Sequence, residues 1–256
     1  MLDNAPKTHE KKVQRQFGVR AGTFDASANW ITSNALIEAH VRLAGRPEKG
    51  ENKALEVCCG TGQIGRALVK NGWDVTGIDI TAEMVNEANR HFHAICADAQ
   101  TEMPFMESSF DLCAIRQALF LLEPEKALSH IKRVLKTRGV FILSQTVPFS
   151  EKDHEWLRQI HLAKQSALKR FYAAEDIKNE LKKNGFTVEE TASLRVRESI
   201  TRWMKEAPEL SAEIREKVVD MVRNAPDGYR DERRVEVVNN EVFEDWNWVL
   251  FRARTE

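Results

Sequence analysis

The chain has 256 residues, of which 42% are hydrophobic and 30% are charged, a composition typical of globular domains that bury a core. Its 38 basic and 39 acidic residues give a formal net charge of −1, which argues against nucleic acid as a partner because phosphate binding needs a clustered positive surplus. No apolar run is long enough to span a bilayer and the N-terminus lacks the apolar core of a signal peptide, so a cytoplasmic protein without a membrane span is expected.

The first fifty residues are predicted to form an arm and a cap. The first 25 residues are polar and predict a loose arm or a short helix. From Ser27 to Leu43, apolar residues recur at near-helical spacing, which predicts a helix that ends at Gly45. We therefore assign residues 1–50 to an N-terminal arm and cap helix.

Strands and helices then alternate. Strands are predicted at residues 54–58, 74–78, 94–97, 110–115 and 140–145. Helices are predicted between them at residues 62–71, 81–90 and 124–136. This alternation indicates βαβ units with a parallel sheet, and the near-continuous apolar strands indicate that both faces of the sheet are covered. Residues 51–195 are therefore predicted to form a Rossmann-like core.

After Pro148 the alternation stops. The pattern predicts helices at 151–167 and 173–184, a strand at 186–194, a charged helical insertion at 200–223 and a closing strand at 245–251. Residues 196–256 are assigned to this insertion and closing strand within the same domain, as a lid or substrate lobe. Trp203, Trp246 and Trp248 fit either the core of this tail or an aromatic substrate pocket.

The strongest local feature is a glycine loop between the first strand and its helix, with glycines at positions 60, 62 and 65. Gly60 and Gly62 let the backbone turn tightly and approach a ligand, and the free N–H groups at a helix start favour an anion. Asp79, at the end of the second strand, can accept hydrogen bonds from ribose hydroxyls. Taken alone, this pattern fits NAD, FAD or S-adenosylmethionine equally.

Two carboxylates favour S-adenosylmethionine over a dinucleotide. Glu56 interrupts the buried first strand, and a buried carboxylate needs partners, so it should be held by loop N–H groups or face a cationic ligand. Asp98 closes the third strand, where a carboxylate can accept from the amine of adenine.

The order of these pieces resembles the class I S-adenosylmethionine-dependent methyltransferases, especially the branch similar to the ubiquinone/menaquinone-biosynthesis C-methyltransferases. The matching segments are Leu55–Gly62, Val75–Thr81, Ala97–Phe105, Ser109–Cys113 and Arg133–Gly139. The resemblance implies an α/β fold: a doubly wound, Rossmann-like, seven-stranded and mostly parallel sheet with its last strand antiparallel. An N-terminal helical cap and a C-terminal lid or insertion would complete it.

The resemblance also implies the cofactor site. Its members are Glu56, Cys58, Gly60 and Gly62 around the methionine part, Asp79 on the ribose, Ile80 and Met84 against adenine, Asp98 and Ala99 facing the adenine amine, Arg116 and Gln117 near the sulfonium, and Phe24 from the arm. This chain departs from the family at Glu56 and Cys58, where Asp and Gly are usual, and at Phe24, where a tyrosine is common.

The predicted function is in-line transfer of a methyl group from S-adenosylmethionine to a small-molecule substrate, achieved mainly by positioning, with S-adenosylhomocysteine as product. No catalytic residue is identified; His154, His161 and Tyr172 are candidates for substrate contact or proton transfer, and each also fits a surface or core position. The alternatives are an RNA substrate, a non-catalytic cofactor-binding protein and a NAD-type oxidoreductase.

The four cysteines indicate neither a metal site nor a disulfide framework, because no CxxC pair occurs among them. Each lies in or beside an apolar run and is interpreted as a core residue. Cys58 and Cys59 as nucleophiles are disfavoured, because no base lies near them in the sequence.

Overall fold

A computed structural model describes residues 5–50, 52–101, 103–164 and 167–255. Positions 165 and 166 of the predicted helix 151–167, and Glu102 of the segment Ala97–Phe105, lie outside these ranges. Helices are α1 (Ala5–Gly18), α2 (Asn29–Thr32), α3 (Asn34–Ala44), α4 (Gln63–Lys70), α5 (Ala82–Ala88), α6 (Pro124–Val134), α7 (Glu151–Lys164), α8 (Ala174–Lys183), α9 (Ile200–Lys205), α10 (Ala212–Arg223) and α11 (Asp227–Glu232). Strands are β1 (Lys53–Val57), β2 (Asp74–Asp79), β3 (His93–Cys96), β4 (Phe110–Arg116), β5 (Leu135–Val147), β6 (Phe186–Ser199), β7 (Glu236–Val238) and β8 (Glu241–Thr255).

The strands form one sheet in the order β3-β2-β1-β4-β5-β8-β6, with β7 paired to β8. The first five strands of this order are parallel, and β8 runs antiparallel to both β5 and β6. The predicted mostly parallel, Rossmann-like sheet is confirmed. The eighth strand, β7, was not predicted; a two-residue turn joins it to β8, with positive φ at Asn239 (49°) and Asn240 (66°), the geometry that favours a tight hairpin.

Both faces of the sheet are covered by helices. In β4, Leu112 and Ala114 pack into the core on one face, where α3, α4 and α7 contribute apolar side chains. Cys113 and Ile115 point to the opposite face, against α6 and α8. Because side chains alternate across a strand, this double coverage explains why β4 is apolar along almost its whole length.

Two predicted helices are interrupted, and both breaks have a local cause. The predicted helix 27–43 is divided into α2 and α3 at Ser33, whose side chain caps α3 by accepting from Leu36 N at 3.4 Å. The predicted helix 200–223 is divided into α9 and α10. Pro208 lies in the gap, and Ser211 caps α10 by accepting from Ile214 N at 3.2 Å.

A buried ion cluster joins the tail to the core. The Arg233 side chain, 1% exposed, donates from Nε to Asp153 Oδ2 of α7 at 2.8 Å and lies 3.6 Å from Glu244 of β8. The hydroxyl of Tyr229 donates to Glu244 at 2.6 Å. The segment that follows β6 is therefore fixed to the sheet by paired charges. Across the described ranges, no helix has the length and apolar character needed to cross a membrane.

Candidate functional site

A pocket lies at the carboxyl ends of the parallel strands. Glu56 comes from β1, Asp79 ends β2, Asp98 follows β3 and Arg116 ends β4. Because β3, β2, β1 and β4 are neighbours in that order, these four charged side chains are brought to one edge of the sheet, where doubly wound folds bind ligands.

The glycine loop shapes the floor of this pocket. Gly60 and Gly62 both have positive φ, 53° and 82°, and Cys58 shares this left-handed conformation at 54°. A Cβ on Gly60 would meet nothing within 4 Å, so open space lies beside it at the pocket. A Cβ on Gly62 would lie 2.7 Å from the Phe92 ring. Gly62 does not line the pocket; it lies in the turn and packs against Phe92.

Asp79 and Asp98 offer acceptors to a ligand. Asp79 accepts from Gly60 N through Oδ2 and from Thr81 N through Oδ1, both at 2.9 Å, and burial raises its pKa. Asp98 Oδ1 accepts from Gln100 N at 2.9 Å. Its other oxygen, Oδ2, is buried and has no hydrogen-bond partner within the described ranges, so it is available to a donor on a ligand.

Glu56 and Arg116 form the charged centre of the pocket. Glu56 accepts from Gly65 N at 2.8 Å, as expected for a carboxylate held by the loop. Burial raises the pKa of Glu56 to about 7, while the charge of Arg116 opposes that rise. Burial lowers the pKa of Arg116 to about 10, and its guanidinium donates to Ile31 O at 3.1 Å. At neutral pH the charge of Glu56 therefore responds readily to a cation placed beside it.

An aromatic cap covers the pocket from the N-terminal side. The ring centroids of Phe17 and Phe24 lie 6.3 Å apart, and those of Phe24 and Trp30 lie 6.1 Å apart. Trp30 also packs on Trp248 of β8 at 5.1 Å. Buried Glu198 of β6 fixes this cap by accepting from Trp30 N at 2.5 Å and from Asn29 N at 2.8 Å.

The free energy of unfolding is expected to fall less between pH 5 and pH 8 in Glu198→Gln than in the native chain. Burial raises the pKa of Glu198 from 4.5 to about 7, so between these values the native chain holds more protons here than the unfolded chain. The free energy of unfolding therefore falls as pH rises through this window, by up to about 3 kcal/mol from this group. Glutamine keeps an acceptor oxygen and does not titrate. Urea unfolding at pH 5 and pH 8 should show a smaller loss for Glu198→Gln than for the native chain or for Glu190→Gln, an exposed control on β6. Equal losses of unfolding free energy in all three chains would contradict the assignment of Glu198 as the titrating group.

Most of the predicted cofactor residues line the pocket. The eleven that do so are Phe24, Glu56, Cys58, Gly60, Asp79, Ile80, Met84, Asp98, Ala99, Arg116 and Gln117.

Burial raises the pKa of the Cys58 thiol well above its ordinary value, which suits a packed thiol rather than a nucleophile. Of the other cysteines, Cys59 and Cys113 are buried as expected; Cys96 is exposed, because β3 is an edge strand.

The three candidates for substrate contact or proton transfer fall in different places. His161 lines the pocket, but burial and the charges of Arg233 and Lys164 lower its pKa to about 3, which makes it a weak base. His154 packs against the Phe171 ring at 5.3 Å and does not line the pocket. Tyr172 is buried in the core on the α6 and α8 side of the sheet, also outside the pocket lining.

The pocket also contains charged residues that the sequence patterns did not reveal. Arg20 follows α1 and Lys164 ends α7, and both line the pocket although they lie far apart in the chain. All three tryptophans of the tail, Trp203, Trp246 and Trp248, belong to the core, and Trp203 and Trp246 also line the pocket. Neither Arg20 nor Lys164 belongs to a recognisable motif; only the fold brings them together.

Among the described residues, no group of His, Cys, Asp and Glu side chains is placed to hold a metal ion.

Comparison with known proteins gives consistent matches. Residues 55–143 match the family model described as "Methyltransferase domain". The chain is 31% identical over 164 residues to malonyl-[acyl-carrier protein] O-methyltransferase of Paenibacillus sp. (strain JDR-2), a match that covers 57% of each chain. It is 30% identical over 163 residues to demethylmenaquinone methyltransferase of Staphylococcus aureus (strain JH9), covering 57% of this chain and 64% of that protein. The matches thus span less than two thirds of either relative.

A solved structure matches over nearly the whole chain. It is the geranyl diphosphate C-methyltransferase from Streptomyces coelicolor A3(2), in complex with Mg²⁺, geranyl-S-thiolodiphosphate and S-adenosyl-L-homocysteine. The match covers 97% of this chain and 98% of that chain, with a TM-score of 0.65 and 14% identity. At this identity the match establishes the shared fold.

Proposed function

We propose that this chain, which belongs to the class I S-adenosylmethionine-dependent methyltransferases, transfers the methyl group of that cofactor to a small molecule. The matches confirm the predicted fold class and support the predicted family and cofactor. The observation that carries the proposed activity is the set of three carboxylates, Glu56, Asp79 and Asp98, around an open glycine loop at one edge of the sheet. A cationic adenosyl ligand complements this acidic edge.

The residues present fit the cofactor. Both oxygens of Asp79 hold one N–H each, and a carboxylate oxygen can accept a second hydrogen bond, so the ribose hydroxyls can be accommodated. The buried Asp98 Oδ2, which lacks a partner in the described part of the chain, matches the donor amine of adenine. The open space beside Gly60 allows close approach of the methionine part.

The chain itself contributes mainly positioning. When bound, S-adenosylmethionine supplies a methyl group already activated as an electrophile by the sulfonium. The acidic edge holds the cation, and the aromatic cap of Phe17, Phe24 and Trp30 excludes water. Holding an acceptor in line with the methyl–sulfur bond can contribute about 7–11 kcal/mol in ideal cases. Because burial and neighbouring charges lower the pKa of His161 to about 3, we do not propose this side chain as the base.

Mass spectrometry of small molecules that co-purify with the chain tests this proposal. S-adenosylhomocysteine or S-adenosylmethionine is the expected ligand, and titration calorimetry should then give a one-to-one stoichiometry. Recovery of NAD, with no measurable binding of S-adenosylhomocysteine, would overturn the proposal in favour of an oxidoreductase. Transfer of the methyl of labelled S-adenosylmethionine to RNA, but not to any small-molecule fraction, would contradict the proposed acceptor class.

Gly60→Ala is expected to lower the affinity for S-adenosylhomocysteine by about tenfold or more, because the new methyl group occupies space at the pocket. The positive φ of Gly60 adds a stability cost of about 1–2 kcal/mol. Gly50→Ala is the matched control, since Gly50 also has positive φ (86°) and open space but does not line the pocket. Calorimetry should show a loss of affinity in Gly60→Ala alone. Equal affinities would show that the ligand does not approach this glycine.

We assign the choice of acceptor to the C-terminal segment, residues 196–256. Trp203 of α9 and Trp246 of β8 bring this segment into the pocket. We propose that this segment belongs to the same domain as the core. The position of β8 between β5 and β6 in the sheet supports this assignment.

A further inference from the structure

The pocket contains a second charged region, which is centred on Lys164. This lysine is 4% exposed, and its ammonium lies 3.5 Å from the ring centroid of Trp203. No hydrogen bond joins its Nζ to another described residue. A buried ammonium without a hydrogen-bonded counterion is costly, and a single ring contact offsets this cost only in part.

Arg20 adds a second buried cation to this region. It is also 4% exposed, and its Nε is buried without a hydrogen-bond partner among the residues described. Its Nη1 lies 3.7 Å from Glu209 Oε1, and neither carboxylate oxygen of Glu209 has a hydrogen-bond partner within those same ranges. Burial lowers the pKa of both Arg20 and Lys164, and Glu209 opposes this effect on each.

The charges of this region do not balance. Glu209 is the carboxylate shared by the two cations. Glu198 also attracts Lys164, but burial raises its pKa to about 7 and its oxygens already accept the N–H groups that fix the cap. With both cations charged, one positive charge is therefore in excess. The same pocket is also lined by the acidic residues Glu56, Asp79 and Asp98, so it contains both carboxylates and an unbalanced pair of cations.

We propose that Lys164 and Arg20 bind a carboxylate of the acceptor substrate, and that Trp203 and Trp246 contact its apolar part. The proposal rests on the methyltransferase function proposed above. A monoanion neutralises a surplus of one charge, whereas a phosphate dianion would leave one negative charge uncompensated in the pocket. The centroids of Trp203 and Trp246 lie 4.8 Å apart in an edge-to-face arrangement, which presents apolar surface beside the cations.

Binding of matched acids and amides to the chain saturated with S-adenosylhomocysteine tests the proposal. Suitable pairs are benzoate and benzamide, phenylacetate and phenylacetamide, indole-3-acetate and its amide, and hexanoate and hexanamide. We expect at least one acid to bind about tenfold more tightly than its amide, measured by calorimetry or saturation-transfer NMR. In Lys164→Met the preference should disappear, and in Lys164→Arg it should persist. Lys152→Met, an exposed change on the same helix, should leave it unchanged.

Three results would overturn the proposal: failure of every acid to bind, equal binding of acids and amides, or an unchanged preference in Lys164→Met. The affinity for S-adenosylhomocysteine distinguishes failure of the carboxylate proposal from failure of the proposed function. If the native chain does not bind this nucleoside, the proposed function itself fails. If Lys164→Met loses affinity for it about tenfold while Lys164→Arg retains it, the cations hold the carboxylate of the cofactor instead. Melting temperatures of the variants, measured with this ligand, show whether each remains folded.

Discussion

Asp79→Ala is expected to lower the affinity for S-adenosylhomocysteine by two orders of magnitude or more. A hydrogen bond to a charged acceptor contributes about 1.5–3 kcal/mol, and two ribose hydroxyls would lose theirs together. The variant also removes the acceptor of Gly60 N and Thr81 N, which fixes the turn of the glycine loop. Titration calorimetry measures the affinity, and circular dichroism confirms the fold.

A second aspartate on the same strand provides the control. Asp74 begins β2, is exposed and does not line the pocket. Asp74→Ala removes the same charge from the same strand and should leave the affinity within about twofold, since distant exposed charges are screened. A folded Asp79→Ala chain that binds as tightly as Asp74→Ala would remove Asp79 from the proposed site.

Arg233→Met is expected to lower the free energy of unfolding by about 3–5 kcal/mol. Methionine approximates the volume of the arginine stem but leaves the carboxylates of Asp153 and Glu244, 0% and 1% exposed, without their cation. An uncompensated buried charge costs more than the pair contributed, which explains the size of the effect. Urea unfolding monitored by tryptophan fluorescence measures it.

The matched control for this prediction is an arginine of an exposed pair. Arg158 and Glu155 lie on α7, near Asp153, with their ion pair at 2.9 Å in solvent. Exposed pairs contribute little, so Arg158→Met should leave the unfolding midpoint almost unchanged. Similar midpoints for the two variants would mean that the Arg233 cluster does not hold the tail to the sheet.

The acidic edge of the pocket could be predicted because each of its carboxylates lies in a short sequence pattern at a strand or beside one. Asp79 and Asp98 follow short apolar strands, and Glu56 precedes a glycine loop, so sequence order alone places them on neighbouring strand ends. The parallel strands were predicted for the same reason, since both of their faces are buried and most of their residues are apolar.

The part of the pocket lined by Arg20 and Lys164 depends on long-range contacts. Arg20 and Lys164 carry no motif, and lysine or arginine on a polar segment is ordinarily exposed. They become pocket residues only because the arm and α7 meet over the strand ends. The predicted helices also ran through Ser33 and Pro208, where the structure has breaks. The spacing of apolar residues indicates which face of a helix is buried, but it does not show where a capping residue or a proline interrupts the backbone.

The contact between Trp30 and Trp248 has a consequence for how the chain folds. The aromatic cap belongs to the first part of the chain, but Trp30 of this cap contacts β6 and β8. In the sheet, β8 lies between β5 and β6. Contacts of such high sequence separation form late, because the loop between them must first be closed. During synthesis or refolding, strands β1 to β5 can therefore assemble early. The covered pocket is completed when β8 has entered the sheet, and tight ligand binding should accompany this final step.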